Sequence, residues 1–395
     1  MNPSYFSITP HDPLISRDGR PFGFGKRMKS LDWFYPSVTT GTFRTITAKN
    51  AGVDFEDNNQ ERLKNNLKRL KEISVSGPFP LYNNRLYFPS PADIAVDEPA
   101  GKGRTSYRIS PAQYADGEGS DIPHSSLLPA MLPKEVTDEF KPAPIAPFWS
   151  SERMTEWLTD YNLSGCPQSP EKNSLNSGYL SYPEKDVRTH ITIKTKSGTA
   201  EDSKLFQTTG LDFTLRENKA GVNMALKVED NNSGLITYSD NKILHTLGGE
   251  RRLTIWEKTE KPLGWDCPEI IEKSLKNSKN IRMVLATPAI FSGGWMPGWL
   301  KEKDGSLQGT PPCSPEITLK LVSACLNHWK PISGWDMENN RPKPVRRIIP
   351  AGSVYFFETI GENSEPGSRL WLKSVCDDEQ DRKDGFGLAL WGIWN

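Results

Sequence analysis

Paired metal ligands are the first thing this sequence lacks. Its five histidines, at 11, 124, 190, 245 and 328, form no HxH or HExxH, and its five cysteines, at 166, 267, 313, 325 and 376, form no CxxC. A metal site built on His or Cys is therefore not expected, and no cofactor is implied. The odd, widely spaced cysteines read as reduced thiols rather than a disulfide framework. No GxSxG elbow occurs, which removes the commonest serine-hydrolase signal. PAGKGRTS invites comparison with a phosphate-binding P-loop, but Gly103 stands where Ser or Thr should follow Lys102, and no glycine lies five before Gly101. Long apolar runs are missing too. Val354 to Phe357 and Met283 to Phe291 fall far short of the ~20 residues that span a bilayer. MNPSYFSITPHDP has no basic segment leading into an apolar block, so no secretory signal or membrane anchor is expected and the chain reads as cytoplasmic. Charge of one sign is absent as well: 49 basic residues balance 49 acidic ones, so a polyanion would have to be held by a local patch. The acidic run Asp377, Asp378, Glu379 and Asp381, beside Arg382 and Lys383, reads as a solvated loop rather than an acid/base pair.

What is present suits a globular protein with generous loops: 395 residues, 35% hydrophobic and 25% charged, with 32 prolines and 31 glycines. That length holds two domains. FSITPHDPLISRDGRP (Phe6 to Pro21) and VLATPAIFSGGWMP (Val284 to Pro297) share a short apolar strand, Thr-Pro, apolar residues, Ser, a glycine turn and Pro. The echo suggests a duplicated unit, though two unrelated strand-turn units would look the same. YPSVTTGTFRTITAKN predicts a helix entered at Pro36 and Ser37 and left at Asn50 to Gly52. QERLKNNLKRLKE predicts another, with Leu63, Leu67 and Leu70 on one face. ISVSGPFPLYNNRLYFPSP predicts a hairpin turning at Asn83-Asn84. Residues 97–147 read as a long insertion, and 164–184 as a second polar one. RTHITIKTKSGTAEDSKLFQTTGLDF carries the alternation of a β-hairpin, and further strands are expected at 222–228, 282–291, 317–326, 345–358 and 386–394. The fold class expected is α+β on antiparallel sheets.

Glycines recur beside basic or aromatic residues in LGGERR (Leu247 to Arg252), FSGGWMPGW (Phe291 to Trp299) and the C-terminal GFGLALWG. Without a Cβ, such positions let another backbone approach and let N–H groups converge on a phosphate. At Gly392 relief of crowding between sheet and helix is the better expectation. A dinucleotide site at Gly387 is excluded, because no helix follows it. Arg17, Arg20, Lys26, Arg27 and Lys29 are interleaved with Phe22, Phe24 and Trp33, and RPKPVRR adds Arg341, Lys343, Arg346 and Arg347. Basic residues with aromatics on a sheet are what single-stranded RNA requires: charge for phosphates and flat faces for bases. Whether Trp295, Trp299 and Trp335 stack on RNA or fill the core is open at this level.

Taken in order, FSITPHDPLISRDGRPFG, YPSVTTGTFRT, GPFPLYNNRLYFPSPADI, RTHITIKTKSGTAEDSKLFQTTGLDF, LGGERR, LATPAIFSGGWMPGW, SGWDMENNRPKPVRRIIPAGSVYFFE and GFGLALWGIWN resemble the third Cmr subunit of type III-B CRISPR effector complexes, of the RAMP superfamily. The resemblance covers nearly the whole chain apart from the two insertions. It implies two ferredoxin-like (RRM-like) domains with antiparallel sheets, drawn here as 1–255, carrying the insertions near 97–147 and 164–184, and 256–395. It also implies a non-catalytic subunit that grips the crRNA 5′ handle and joins the large signature subunit to the backbone subunit in antiviral RNA-guided interference. The phosphate contacts implied are Gly248, Gly249, Arg251 and Arg252, then Gly385, Phe386 and Gly387. Arg17 and Arg20 match the N-terminal DPL...RDGRPF pattern, Arg188 and His190 the RTH element, and Arg346 and Arg347 come from the basic patch. Two other readings stand beside this one. One is a metal-independent endoribonuclease processing guide precursors with His11 or His190 as general base; the other is a protein-only scaffold whose glycines serve packing.

Overall fold

The computed structural model describes residues 2–18, 30–99, 103–136, 140–159, 177–214, 221–236, 241–361 and 368–394. The chain divides into two compact units, Met1–Tyr82 with Tyr182–Glu260 and Pro331–Arg346, and Asn83–Ser181 with Lys261–Lys330 and Arg347–Asn395. This differs from a single cut between 255 and 256. Strand Leu253–Thr259 runs through that point, and residues 83–181 join the unit holding the C-terminus.

In the first unit four strands make the centre of the sheet: first Ser4–Pro10, second Ile73–Tyr82, third Asn223–Asp230 and fourth Leu253–Thr259. Their spatial order is fourth, first, third, second, every pairing antiparallel, with Lys242–Thr246 added outside the fourth. Helix Pro36–Asn50 begins on proline, whose fixed φ suits the first helical position and whose missing N–H would be unpaired there anyway. Helix Gln60–Lys71 is capped by Asn59, whose side chain accepts from the Arg62 N–H at 3.0 Å. Its Leu67 and Leu70 are buried while Lys64 and Lys68 stay in water, as the leucine spacing predicts. Phe43 and Ile46 from the first helix meet Phe6, Ile8, Met224 and Trp256 from the sheet in one core, Phe43 lying edge-on to Phe6 at 5.0 Å.

The second unit repeats the order. Its strands Asn280–Leu285, Thr318–Cys325, Val354–Ile360 and Leu388–Ile393 again lie fourth, first, third, second and antiparallel. Strands Leu300–Lys303 and Ser306–Gly309 extend one edge and Lys373–Ser374 the other. The echo in the sequence therefore falls on equivalent elements, the first strand of each sheet: Thr9-Pro10 closes one strand and Thr287-Pro288 follows the other. Helix Ser151–Thr159 packs on the fourth strand so closely that a Cβ on Gly392 would overlap the Leu158 backbone, the crowding expected of that glycine. Asn83 and Asn84 take φ of 49° and 58°, the left-handed pair a two-residue hairpin turn needs.

The described residues of the insertion at 97–147 include paired segments. Within it Ser110–Pro111 pairs with Ala130–Met131, and the Leu128 N–H donates to the Val322 carbonyl at 2.8 Å while Ser323 Oγ donates back to the Leu128 carbonyl at 2.8 Å. Thr105–Arg108 pairs with Ile94–Asp97. Residues 164–176 of the second insertion lie outside the described part.

Candidate nucleic-acid interface

In the first unit the chain leaves its first strand at Pro10 as a strap that three segments hold. The His11 N–H donates to the Leu253 carbonyl at 3.0 Å, and Asp12 accepts from the Leu253 N–H at 3.2 Å. Leu14 and Leu211 exchange N–H bonds at 2.9 and 2.7 Å, fixing the strap to the base of the hairpin Glu184–Ile193/Ala200–Asp212. Gly210 makes that approach possible, since a Cβ there would sit 2.9 Å from the Pro13 Cβ. Ile15 then accepts from the Gly249 N–H at 2.7 Å, and Arg17 bridges to Ser30. Leu14 and Ile15 are buried pegs; Arg17 is exposed.

LGGERR forms the turn that meets this strap. The Leu247 N–H donates to the Arg252 carbonyl, and Gly248, Glu250 and Arg251 all take positive φ, at 74°, 55° and 52°. Such a turn puts Arg251 outward, exposed, while the Arg252 guanidinium sits 3.1 Å from the Glu250 carboxylate. Neither Arg17 nor Arg251 has a side-chain ion-pair or hydrogen-bond partner among the described residues. Two buried polar atoms of these same loops, Ser16 Oγ and Arg252 Nε, are likewise unpartnered. A buried donor left unmade costs about 1–3 kcal/mol.

The structure thus puts Arg17 on the strap and Gly248, Gly249, Arg251 and Arg252 on the turn bonded to that strap at Ile15, with one correction. Gly249 does not present a free N–H; that group is spent on Ile15. The glycines serve close backbone approach, and the unpaired charge is on Arg17 and Arg251. Arg188 and His190 lie on the hairpin whose base shares the strap. Arg188 is paired to Asp186 at 2.7 Å, and His190 bonds Thr208 Oγ1 at 2.8 Å and stacks on Phe206 with centroids 5.0 Å apart. Nearby, Lys185 pairs with Asp32 at 2.8 Å and Ser30 Oγ donates to the Thr209 carbonyl. Arg20 lies outside the described residues, as do Lys26, Arg27 and Lys29. His11 is exposed beside Asp12, 3.8 Å away.

The C-terminal glycines do not join this face. Gly385, Phe386 and Gly387 occupy the same topological place in the second unit, just before the fourth strand, yet all three are buried. Their N–H groups are taken by the Arg382, Asp381 and Pro288 carbonyls, and Thr287 Oγ1 donates to the Gly385 carbonyl at 2.8 Å. A Cβ on Gly387 would lie 2.6 Å from Cys376 Sγ, whose thiol burial pushes up to about 12 and so keeps neutral. The expectation of open amides on a terminal strand is corrected: these glycines precede the strand and serve packing. FSGGWMPGW is likewise satisfied internally. Asp377 accepts from the N–H groups of Ser292 and Gly298 at 2.7 and 2.9 Å, so the anion in that loop is the protein's own. The acidic run is accordingly structural: Asp377 anchors this loop, Asp378 caps helix Glu379–Lys383, and Asp381 is buried.

Arg346 and Arg347 are both exposed. Trp299 belongs to the core edge, its indole donating to the Val375 carbonyl at 3.0 Å, whereas Trp335 is 52% exposed. The sequence pattern DPL...RDGRPF marks this strap but not the roles of Asp12, which accepts from the Leu253 N–H, or of Ser16. Among the described residues no helix is long and apolar enough to cross a membrane.

Comparison with known proteins gives a family. The model for CRISPR-associated protein (Cas_Cmr3) matches residues 6–394. A comparison with the curated proteins finds no match. Among solved structures, a chain of the cryo-EM structure of the type III-B Cmr-beta bound to cognate target RNA and AMPPnP aligns at 15% identity, covering 89% of this chain and 86% of its own, TM-score 0.48. A chain of the same Cmr-beta bound to cognate target RNA aligns at 16% identity over 89% and 86%, TM-score 0.45. One from the Csm3-Csm4 subcomplex of the type III-A CRISPR-Cas interference complex aligns at 12% over 99% of each, TM-score 0.40.

Proposed function

We propose, starting from the fact that this chain belongs to the CRISPR-associated Cas_Cmr3 family, that it is a non-catalytic RNA-binding subunit of a type III-B effector complex. In this reading it holds the 5′ handle of the guide RNA and links the large signature subunit to the backbone subunit, in the cytoplasm. The observation that carries the RNA contact is the pair of exposed cations Arg17 and Arg251, without side-chain partners among the described residues, on two loops bonded at Ile15 and Gly249. Ser16 Oγ and Arg252 Nε, buried and without partners among the described residues, supply further donors for phosphate oxygens. The order fourth, first, third, second in each antiparallel sheet supports two ferredoxin-like (RRM-like) domains. Sheets of this kind serve single-stranded RNA in many settings, which favours the reading.

The test is handle binding by the full chain. Arg17→Ala with Arg251→Ala should weaken binding of a 5′-handle oligonucleotide and flatten its salt dependence by about 1.4 in log–log slope, about 0.7 for each phosphate of a single strand that is no longer neutralised. Unchanged affinity and slope would remove the assignment. A guide precursor incubated with the protein in EDTA should remain intact; cleavage abolished by His11→Ala or His190→Ala would favour the endoribonuclease instead. His190 is already committed to Thr208 and Phe206, which leaves it poorly placed as a base.

A further inference from the structure

Large aromatic side chains are normally hidden or tied by their polar tip. Trp149, Trp157, Trp256, Trp265, Trp371 and Trp391 are all buried. Trp329, just after the second strand of the second unit, is not: it is 41% exposed, although an indole of this size gains much from burial. It is nonetheless held in a defined pose. The Arg347 guanidinium carbon lies 4.6 Å from the centre of its ring, and the His328 ring lies 5.6 Å away, tilted by 30°. His328 Nδ1 donates to the Trp329 carbonyl at 2.9 Å, which orients the imidazole and fixes its tautomer, because a carbonyl can only accept.

The surroundings decide what would cover this indole. Leu326 to Lys330 and Arg347 to Gly352 contribute Lys330 and Arg347 and no carboxylate, and residues 327 to 330 and 347 are all exposed. An apolar protein surface laid over the ring would have to strip water from these cations without pairing them, which is costly. A phosphate-bearing strand would neutralise them while offering the indole a flat base. We propose that Trp329, held by Arg347 and His328, is a stacking platform for an unpaired RNA base, a contact in the second unit separate from the glycine-turn face of the first. The inference rests on the RNA-binding reading above.

The experiment measures fluorescence anisotropy of a short labelled oligo(A) RNA on the full chain, with inorganic polyphosphate as a base-free competitor. Trp329→Ala should weaken oligo(A) binding about tenfold, the effect of removing one base–aromatic stack, while competition by polyphosphate stays as in the wild type. Trp329→Phe, which keeps a flat ring and guards against a folding defect, should retain most of the affinity. Arg347→Gln should weaken both ligands and flatten the salt dependence. If Trp329→Ala binds oligo(A) as tightly as the wild type, or loses both ligands equally, the platform is wrong. The two failures separate cleanly. Weakened handle binding in the Arg17/Arg251 variant with an unaffected Trp329→Ala sinks only the platform; a wild-type chain that binds neither RNA sinks both readings.

Discussion

At Gly248 the backbone φ is +74° and a Cβ would overlap the Ile15 carbonyl oxygen, whereas Gly249 has ordinary backbone and a Cβ there would meet Ile15 Cγ2 at 3.3 Å. Adjacent glycines in one motif therefore have different tolerances. Gly248→Ala should destabilise the protein by about 1–3 kcal/mol, the range for a strained backbone position, and Gly249→Ala by no more than about 0.5 kcal/mol. Urea unfolding of the two variants side by side measures this. Equal losses would mean that the turn is not pinned to Ile15 as described. The same distinction separates packing from recognition: Gly249→Ala keeps its N–H on Ile15, so it should also keep RNA affinity if that group never faces RNA.

Among the elements, helix Gln60–Lys71 and the hairpin Glu184–Ile193/Ala200–Asp212 show two ways of reading a pattern. The helix has a leucine stripe that the core uses, and its start is fixed by one side chain, Asn59. Asn59→Ala should cost about 1 kcal/mol, seen as a lower urea midpoint with an unchanged m-value; a cost near zero would show the cap to be frayed. The hairpin has an equally clear alternation and no core to match. Val187, Ile191 and Leu205, on one face, are 55%, 53% and 67% exposed. Period-two alternation identified the strands correctly because it is a property of strand geometry, but it could not report whether a layer lies against the apolar side.

For the whole molecule, the interleaving of the two units matters more than their sizes. Arg282, on the first strand of the second unit, is fully buried and pairs with Asp93 at 2.5 Å, while its second nitrogen donates to the Trp157 carbonyl. Trp157 in turn donates to Asp93 at 2.8 Å. Both partners come from residues 83–181. A fragment comprising 256–395 would keep Arg282 without them, leaving a buried guanidinium unpaired at a cost of about 3–5 kcal/mol, a large share of any domain's stability. The fragment should therefore lack fixed tertiary packing, read as the disappearance of its near-UV circular dichroism signal. A native-like spectrum from it would show that a domain boundary near 255 is sufficient after all.

Sequence alone determined the features that neighbours along the chain enforce: the helix entered at Pro36, the leucine face of Gln60–Lys71, the Asn83-Asn84 turn, the hairpin around Arg188, and the paired first strands behind the Thr-Pro echo. Each depends on local periodicity, on a cap, or on a residue's permitted φ. Tertiary structure decided which glycines are open and which are buried. LGGERR and GFG precede equivalent strands, yet one turn ends exposed with Arg251 unpaired among the described residues and the other is sealed by Pro288, Thr287 and Cys376. It also decided that Asp377 occupies the FSGGWMPGW loop and that Arg282 finds its counter-charge in residues 83–181. Burial and pairing of this kind are set by segments far away in sequence, and no local pattern encodes which of them will arrive.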